Sequence, residues 1–403
     1  MTLVQQKPLA GIRVVDNTHF LAGPYLSRCL AAMGAEVIKV ERPTEGDAGR
    51  AYPHRINGQS GYFMQQNMGK KGLCVDMKDP RGKALMDKLV DSADVFVENY
   101  RPGALAKLGM GYETLSKRNQ GLVYCSISAY GHTGPESHRA GFGLIAEAKS
   151  GIMAMVGQPG ETPPLLRIAL GDMYTGIHGV AAINAALLGR VKSGFGQHID
   201  LALYDCLVSM HEYAVQCYTL SGGQEIPVQT GHDLPTSALY GAFAARDGHV
   251  VIAAQADEAW ARFAELLGGA ALHDKFRTMA GRNAHRLELL PLVRAWTQAR
   301  SVSEILETLD AAEVPSAKIQ NIEDVVHDPQ IIARDMLVEQ DHPVAGRITL
   351  PNVPFKFSGF DATITQPAPL LGQHNAEIAA SLGFAQDEIE AMQREGVLYS
   401  GKC

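Results

Sequence analysis

The chain has 403 residues, 46% of them apolar and 20% charged, and a formal net charge of −7. That length exceeds one ordinary core and fits two domains, or one large domain with an insertion. With no block of Lys and Arg and no apolar run of about 18 residues, neither nucleic acid nor a membrane is expected as a partner.

Residues 1–8 are polar and lack the apolar centre of a signal peptide, so a cytoplasmic location is expected. Residues 11–16 read as a buried strand, 24–33 as a helix stopped by Gly34, and 35–41 as a second strand. Residues 72–76 form another strand. Asp79-Pro80 then opens a helix over 81–90, and strands follow at 94–99 and 121–128. Strands alternating with helices imply a parallel sheet in an α/β domain. Ligands gather beyond the carboxyl ends of such strands. Here those ends carry residues 16–19, 41–42, 76–78 and 99–101, four polar clusters after apolar runs.

From Asp172 the pattern turns helical, through residues 173–188, and an apolar run resumes at 199–203. Residues 221–234, rich in Gly, Gln and Pro, read as a linker. Asp247-Gly248 between two apolar runs signals a hairpin. Helices are expected at 257–267, 284–298 and 302–312, giving a small α+β domain. Residues 341–369 read as a second linker with short strands, and 375–398 as a helical tail. The expected divisions are 1–220, 221–340 and 341–403.

Six cysteines, Cys29, Cys74, Cys125, Cys206, Cys217 and Cys403, are irregularly spaced without a CxxC pair and read as free thiols of a cytosolic protein. There is no HExxH motif and no Cys/His cluster, so no metal site is expected. The phosphate loop GxxxxGK[ST] and the GxSxG elbow are absent. Gly141-Phe142-Gly143 with Ala146 fits the loose dinucleotide fingerprint, but a polar loop precedes it where a strand is required.

A series of segments resembles the class III CoA-transferases, the group that includes formyl-CoA, carnitine and bile-acid CoA-transferases and the related α-methylacyl-CoA racemases. They are residues 8–16 (PLAGIRVVD), 22–24 (AGP), 30–41 (LAAMGAEVIKVE), 46–47 (GD), 76–78 (DMK), 97–103 (VENYRPG), 130–135 (YGHTGP), 171–172 (GD), 196–200 (GQHID), 328–330 (DPQ) and 372–374 (GQH). The resemblance covers nearly the whole chain. It implies a large Rossmann-like domain built from both chain ends, a smaller middle domain, and an interlocked homodimer with the active site between subunits.

The resemblance also implies that Asp172 is a covalent nucleophile that forms aspartyl anhydride and aspartyl-CoA thioester intermediates. An ordinary Asp, with a pKa of about 3.9, is already an anion at neutral pH and needs no general base. Spacing alone reads Asp172 as the N-cap of the following helix; the two roles can coexist. Coenzyme A is expected as part of the substrate, with no tightly bound cofactor. By family position His19 and Ala22 line its channel, Arg42 flanks the adenine, Val75 and Lys78 hold the adenine and phosphate end, Asn99 and Tyr100 meet the pantetheine or pyrophosphate, and Lys107 the phosphates.

Three departures bear on specificity. Ala140, beside Arg139, stands where some relatives place a lysine. Gly141-Phe142-Gly143 lacks the histidine and acid of the racemases. Neither Gly222-Gly223 nor Thr230-Gly231-His232 is the glycine run of formyl-CoA transferases. A small dicarboxylate, of the succinate, mesaconate, itaconate or citramalate type, is the expected acid, with Arg50, Tyr52, His54 and Arg55 as candidates to read its distal carboxylate. The alternatives are a racemase or isomerase of the same fold and a non-catalytic CoA-binding protein.

Overall fold

The computed structural model describes residues 6–234 and 236–401; the first five residues and Cys403 lie outside them. β1 (Arg13–Asn17) is followed by α1 (Ala22–Ala32), and the chain turns at Gly34, whose φ of +102° suits glycine. β2 (Glu36–Glu41) comes next, then a ribbon of β3 (Arg55–Ile56) and β4 (Gln59–Ser60), and α2 (Gly61–Asn67). β5 (Lys71–Cys74), α3 (Pro80–Asp91), β6 (Val95–Glu98), α4 (Tyr112–Arg118) and β7 (Val123–Ser128) continue the alternation. Asp79 caps α3 and Pro80 takes its first position, where the missing N–H costs nothing. α5 (Gly143–Lys149), α6 (Leu170–Ser193), β8 (His198–Ala202) and α7 (Leu203–Ser209) complete this stretch.

The six longer strands form one parallel sheet in the order β5-β2-β1-β6-β7-β8. The chain fills one side of β1 and then crosses to fill the other. Strand order therefore reverses between β1 and β6, where doubly wound sheets open a crevice beyond the carboxyl ends.

Two compact units emerge, one of residues 1–151, 166–212 and 329–403, the other of 152–165 and 213–328. The second unit holds α8 (Ala214–Leu220), β9 (Tyr240–Ala244), β10 (His249–Ala253), α9 (Asp257–Leu267), α10 (Met279–Ala284), α11 (Arg286–Gln298), α12 (Val302–Ala311), β11 (Ser316–Lys318) and α13 (Ile322–Val326). β9 and β10 are the hairpin signalled by Asp247-Gly248, and the antiparallel sheet β11-β10-β9 packs with Trp260, Phe263, Trp296 and Ile305.

The chain then returns to the first unit through α14 (Pro329–Ala333), β12 (Leu337–His342) and β13 (Gly346–Pro351), so a regular hairpin occupies the start of the segment read as a linker. The helical tail is two helices, α15 (Asn375–Ser381) and α16 (Gln386–Arg394), because Gly383 takes φ +81° between them. Ile378, Ile389, Met392 and Leu398 join Val15, Ile38, Leu73 and Phe96 in one core. The C-terminal segment also covers the outer edge of β5: Asn375 Oδ1 accepts from the Cys74 N–H at 2.8 Å, and the Tyr399 N–H donates to the Cys74 carbonyl. An open edge strand is thereby protected.

Beneath the crevice lies a buried ionic network. Asp16, Lys39 and Lys70 are 0% exposed and Asp47 4%. Lys70 Nζ sits 2.8 Å from Asp16 Oδ2, Lys39 Nζ sits 2.8 Å from Asp47 Oδ2, and Lys39 lies 4.0 Å from Asp16. These cations outweigh burial and hold the Asp16 carboxyl well below the usual carboxylate range. Lys70→Met removes Asp16's closest cation. We expect a loss of about 3–5 kcal/mol, as for other broken buried pairs, read as a lower urea midpoint; an unchanged midpoint would refute this.

Candidate active site

The network shapes the loop after β1. Lys39 Nζ donates to the Thr18 carbonyl, and Asp47 Oδ1 accepts from the Phe20 N–H at 3.0 Å. Asn99, just past β6, clamps the same loop from the other side of the switch point. Its Oδ1 accepts from the His19 N–H at 2.9 Å and its Nδ2 donates to the His19 carbonyl at 2.7 Å. His19 stands at the junction, edge-on to Tyr100 and Phe20, and burial lowers its pKa, so neutral imidazole is favoured.

Two cavities, of about 400 and about 410 Å³, open here and share His19, Phe20 and Tyr100 as a common wall. The first is lined by Arg42, Val75, Asp76 and Lys78, with Leu108 at its edge. The second is lined by Ala22, Asn99, Arg101, Arg139, Phe142 and Asp172. His19, Ala22, Arg42, Val75, Lys78, Asn99 and Tyr100, scattered over 82 positions of sequence from 19 to 100, thus meet around one pair of cavities together with Asp172. Lys107 does not line either cavity; its neighbour Leu108 does. The polar clusters at the strand ends converge because parallel strands all deliver their carboxyl ends to one side of the sheet.

Asp172 is the third residue of α6, not its cap. The N-cap is Ala169, which has no side-chain acceptor to offer. The cap reading fails because α6 begins at Leu170, three residues before its apolar pattern does. A carboxylate in a first helical turn gains from the N-terminal dipole, yet the Asp172 pKa is raised to about 6, first by burial and then by the charge of Glu147. Desolvation and a like charge outweigh the dipole. At pH 7 roughly ten carboxylates remain for each protonated acid.

Arg50 faces away from these cavities. Its Nε and Nη2 each donate to the Glu41 carboxylate at 2.7 Å, Nη2 also reaches the Pro369 carbonyl, and the guanidinium lies 3.6 Å from the Phe63 ring centre. Arg55 donates to the carbonyls of Ala51 and Tyr52, folding back on its own loop. The structure does not bring Arg50 to the Asp172 cavity: a buried acid, Glu41, holds the guanidinium. Tyr52 stacks on Tyr62 with ring centres 4.4 Å apart and meets Phe20 edge-on, so it reaches the site through an aromatic chain that ends at Phe142.

A sequence model of CoA-transferase family III matches residues 9–375. The chain belongs to CoA-transferase family III. It is 36% identical to succinyl-CoA:glutarate CoA-transferase from Mus musculus, over 97% of this chain and 90% of that protein. It is 37% identical to succinyl-CoA:mesaconate CoA-transferase from Haloarcula hispanica, over 95% of this chain and 99% of that one. The crystal structure of a CAIB/BAIF family protein from Brucella suis is 35% identical, covers 94% of this chain and all of its own, and superposes with a TM-score of 0.84. Among the described residues no group of three or more His, Cys, Asp or Glu is placed to hold a metal ion, and no helix is long and apolar enough to cross a membrane.

For this CoA-transferase, Gly141-Phe142-Gly143 has a use unrelated to dinucleotides. Gly143 is the first residue of α5, and a Cβ there would lie 2.1 Å from Asp172 Oδ2. Sequence reading passed over Gly143, Glu147, Phe20 and Tyr62. The only signal for Glu147 was helical spacing, which puts it on one face with Gly143 and Ala146. Gly143→Ala should displace the Asp172 carboxylate by about 1 Å and lower CoA transfer on the order of 100-fold, with unchanged circular dichroism. Full activity in that variant would show that the close approach is dispensable.

Proposed function

We propose that this CoA-transferase moves coenzyme A between small dicarboxylic acids through covalent intermediates on Asp172. The observation that carries the reading is a half-buried carboxylate, Asp172, in a cavity that adjoins a second one lined by Arg42, Val75 and Lys78. Asp172 attacks the thioester carbonyl of the donor, the C–S bond breaks, and CoA thiolate leaves an aspartyl anhydride. The thiolate then attacks the aspartyl carbonyl and expels the first acid, leaving an aspartyl-CoA thioester. The acceptor carboxylate attacks that thioester to form a second anhydride and free the thiolate. Attack of the thiolate on the acceptor's acyl carbonyl gives the new acyl-CoA and restores Asp172. Each step keeps the energy of the thioester, provided water stays out.

On this reading the adenine and phosphate end lies along Arg42, Val75 and Lys78, the pantetheine passes His19, Asn99 and Tyr100, and Ala22 leaves room for it. Lys107 serves the phosphates from outside the cavity wall. The relatives named for glutarate and mesaconate support a dicarboxylate. Arg101, on the wall of the Asp172 cavity, takes the place of Arg50 and Arg55 as its reader, with Arg139, paired with Glu136 on the same wall, as a second cation and Tyr52 at the aromatic rim. A homodimer, interlocked as the family resemblance implies, is supported by apolar side chains left bare at the end of α6, Leu188 at 67% exposure and Val191 at 83%.

Incubation with succinyl-CoA followed by intact-mass analysis should give a CoA adduct that maps to Asp172 and is lost in Asp172→Ala; turnover without any adduct would refute the mechanism. Because the folded pKa of Asp172 is raised to about 6, the nucleophile is ionised above that value, and the single-turnover rate should fall as pH drops through it. Arg101→Ala and Arg139→Ala should raise KM for dicarboxylates by about 10- to 100-fold, the value of a charge-assisted hydrogen bond, and leave monocarboxylates nearly unchanged. Equal losses for both would exclude a distal-carboxylate role.

A further inference from the structure

α5 meets the first turn of α6 along a face of Gly143, Ala146 and Glu147, all three buried. Glu147 is 2% exposed, and its Oε1 accepts a 3.0 Å hydrogen bond from the Gly171 N–H. That N–H is one of the orphan donors at a helix start, which usually serve a cap or a nearby anion. Ala169 cannot cap it, and Asp172 is the adjacent residue. Two carboxylates therefore share the start of α6: Glu147 holds the Gly171 N–H, and Asp172 is left with its own backbone N–H.

We infer that Glu147 is a positioning residue for CoA transfer: it takes the helix-start N–H that would otherwise serve Asp172, and its charge keeps the nucleophilic carboxylate electron-rich. The inference rests on the reading of Asp172 as nucleophile. Its consequence is a nucleophile more basic than an ordinary aspartate, which attacks a carbonyl faster while staying largely ionised at neutral pH. The pKa raised to about 6, with burial as the first cause and Glu147 as the second, agrees with it. The other titratable groups around Asp172 do not oppose it in the same way. His19, Tyr100, Arg101 and Arg139 line the cavity wall, and Tyr62 feels the Asp172 charge from α2. Lys149 of α5 is engaged with Glu136, α7 carries Asp205, and α1 sets Tyr25 against Gly176 one turn further along α6. Gly143 completes the arrangement by giving up its side chain so that Asp172 can pack against α5.

Glu147→Gln keeps an acceptor for the Gly171 N–H and removes the charge. With succinyl-CoA as donor, the acidic limb of the single-turnover rate should move down by about one pH unit, the plateau should fall, and the CoA adduct should still map to Asp172. A limb at the wild-type pH overturns the inference. Absence of the adduct in the wild-type enzyme instead overturns the nucleophile reading, so the two failures are distinct. Should Glu147→Gln not fold, isotope-edited infrared titration of the wild-type protein against Asp172→Asn decides alone. A carboxyl midpoint near 4 overturns the inference.

Discussion

Lys39 and Lys70 lie wholly inside the protein, between the carboxylates of Asp16 and Asp47, and the crevice is built over them. Charges buried this deeply are tolerable only when paired and hydrogen-bonded. Here each is. Lys70 also donates to the Pro24 carbonyl and Asn67, Lys39 to the Thr18 carbonyl, and Ser27 to Asp16. Thr18 and Phe20 hang from this network by their backbones, so the loop that carries His19 is held from beneath. Asn99 then ties it across the switch point to β6. The ionic network is thus a device for geometry: it spends desolvation energy to hold a loop that divides and joins two ligand cavities.

Asp172 shows the opposite use of burial. Burial and the charge of Glu147, whose Oε1 accepts from the neighbouring Gly171 N–H, raise its pKa. A carboxylate whose folded pKa is raised costs stability at neutral pH, and the cost is relieved as pH falls through about 6. The contrast with Asp16 is instructive. Both are aspartates in the same unit; one is silenced by two lysines, the other is left electron-rich.

Much of the first unit is legible along the chain. The run from Val14 to Asp16, the Asp79-Pro80 start, the Gly34 stop and the Asp247-Gly248 hairpin act through local rules of periodicity and backbone freedom, and each formed where those rules place it. Elements whose ends depend on packing were less legible. α6 starts at Leu170 rather than at Asp172 because its first turn is secured by Glu147 of a different helix. Arg50 looked like a free cation beside a glycine loop; its partner Glu41 is nine residues away, at the end of a strand, and sequence does not say which way either side chain turns.

By itself the sequence determined the family and the alternating α/β pattern, and it singled out Asp172 for the proposed nucleophile, because these depend on residue identity in chain order. The tertiary structure decided which charged groups are spent and which are free. It brought Glu147 to the start of α6 next to Asp172, turned Arg50 onto Glu41 and Arg139 onto Glu136, and set Arg101 on the wall of the Asp172 cavity. The physical reason is that burial and pairing are properties of neighbours in space, and a side chain's charge acquires its chemical role only when those neighbours are known.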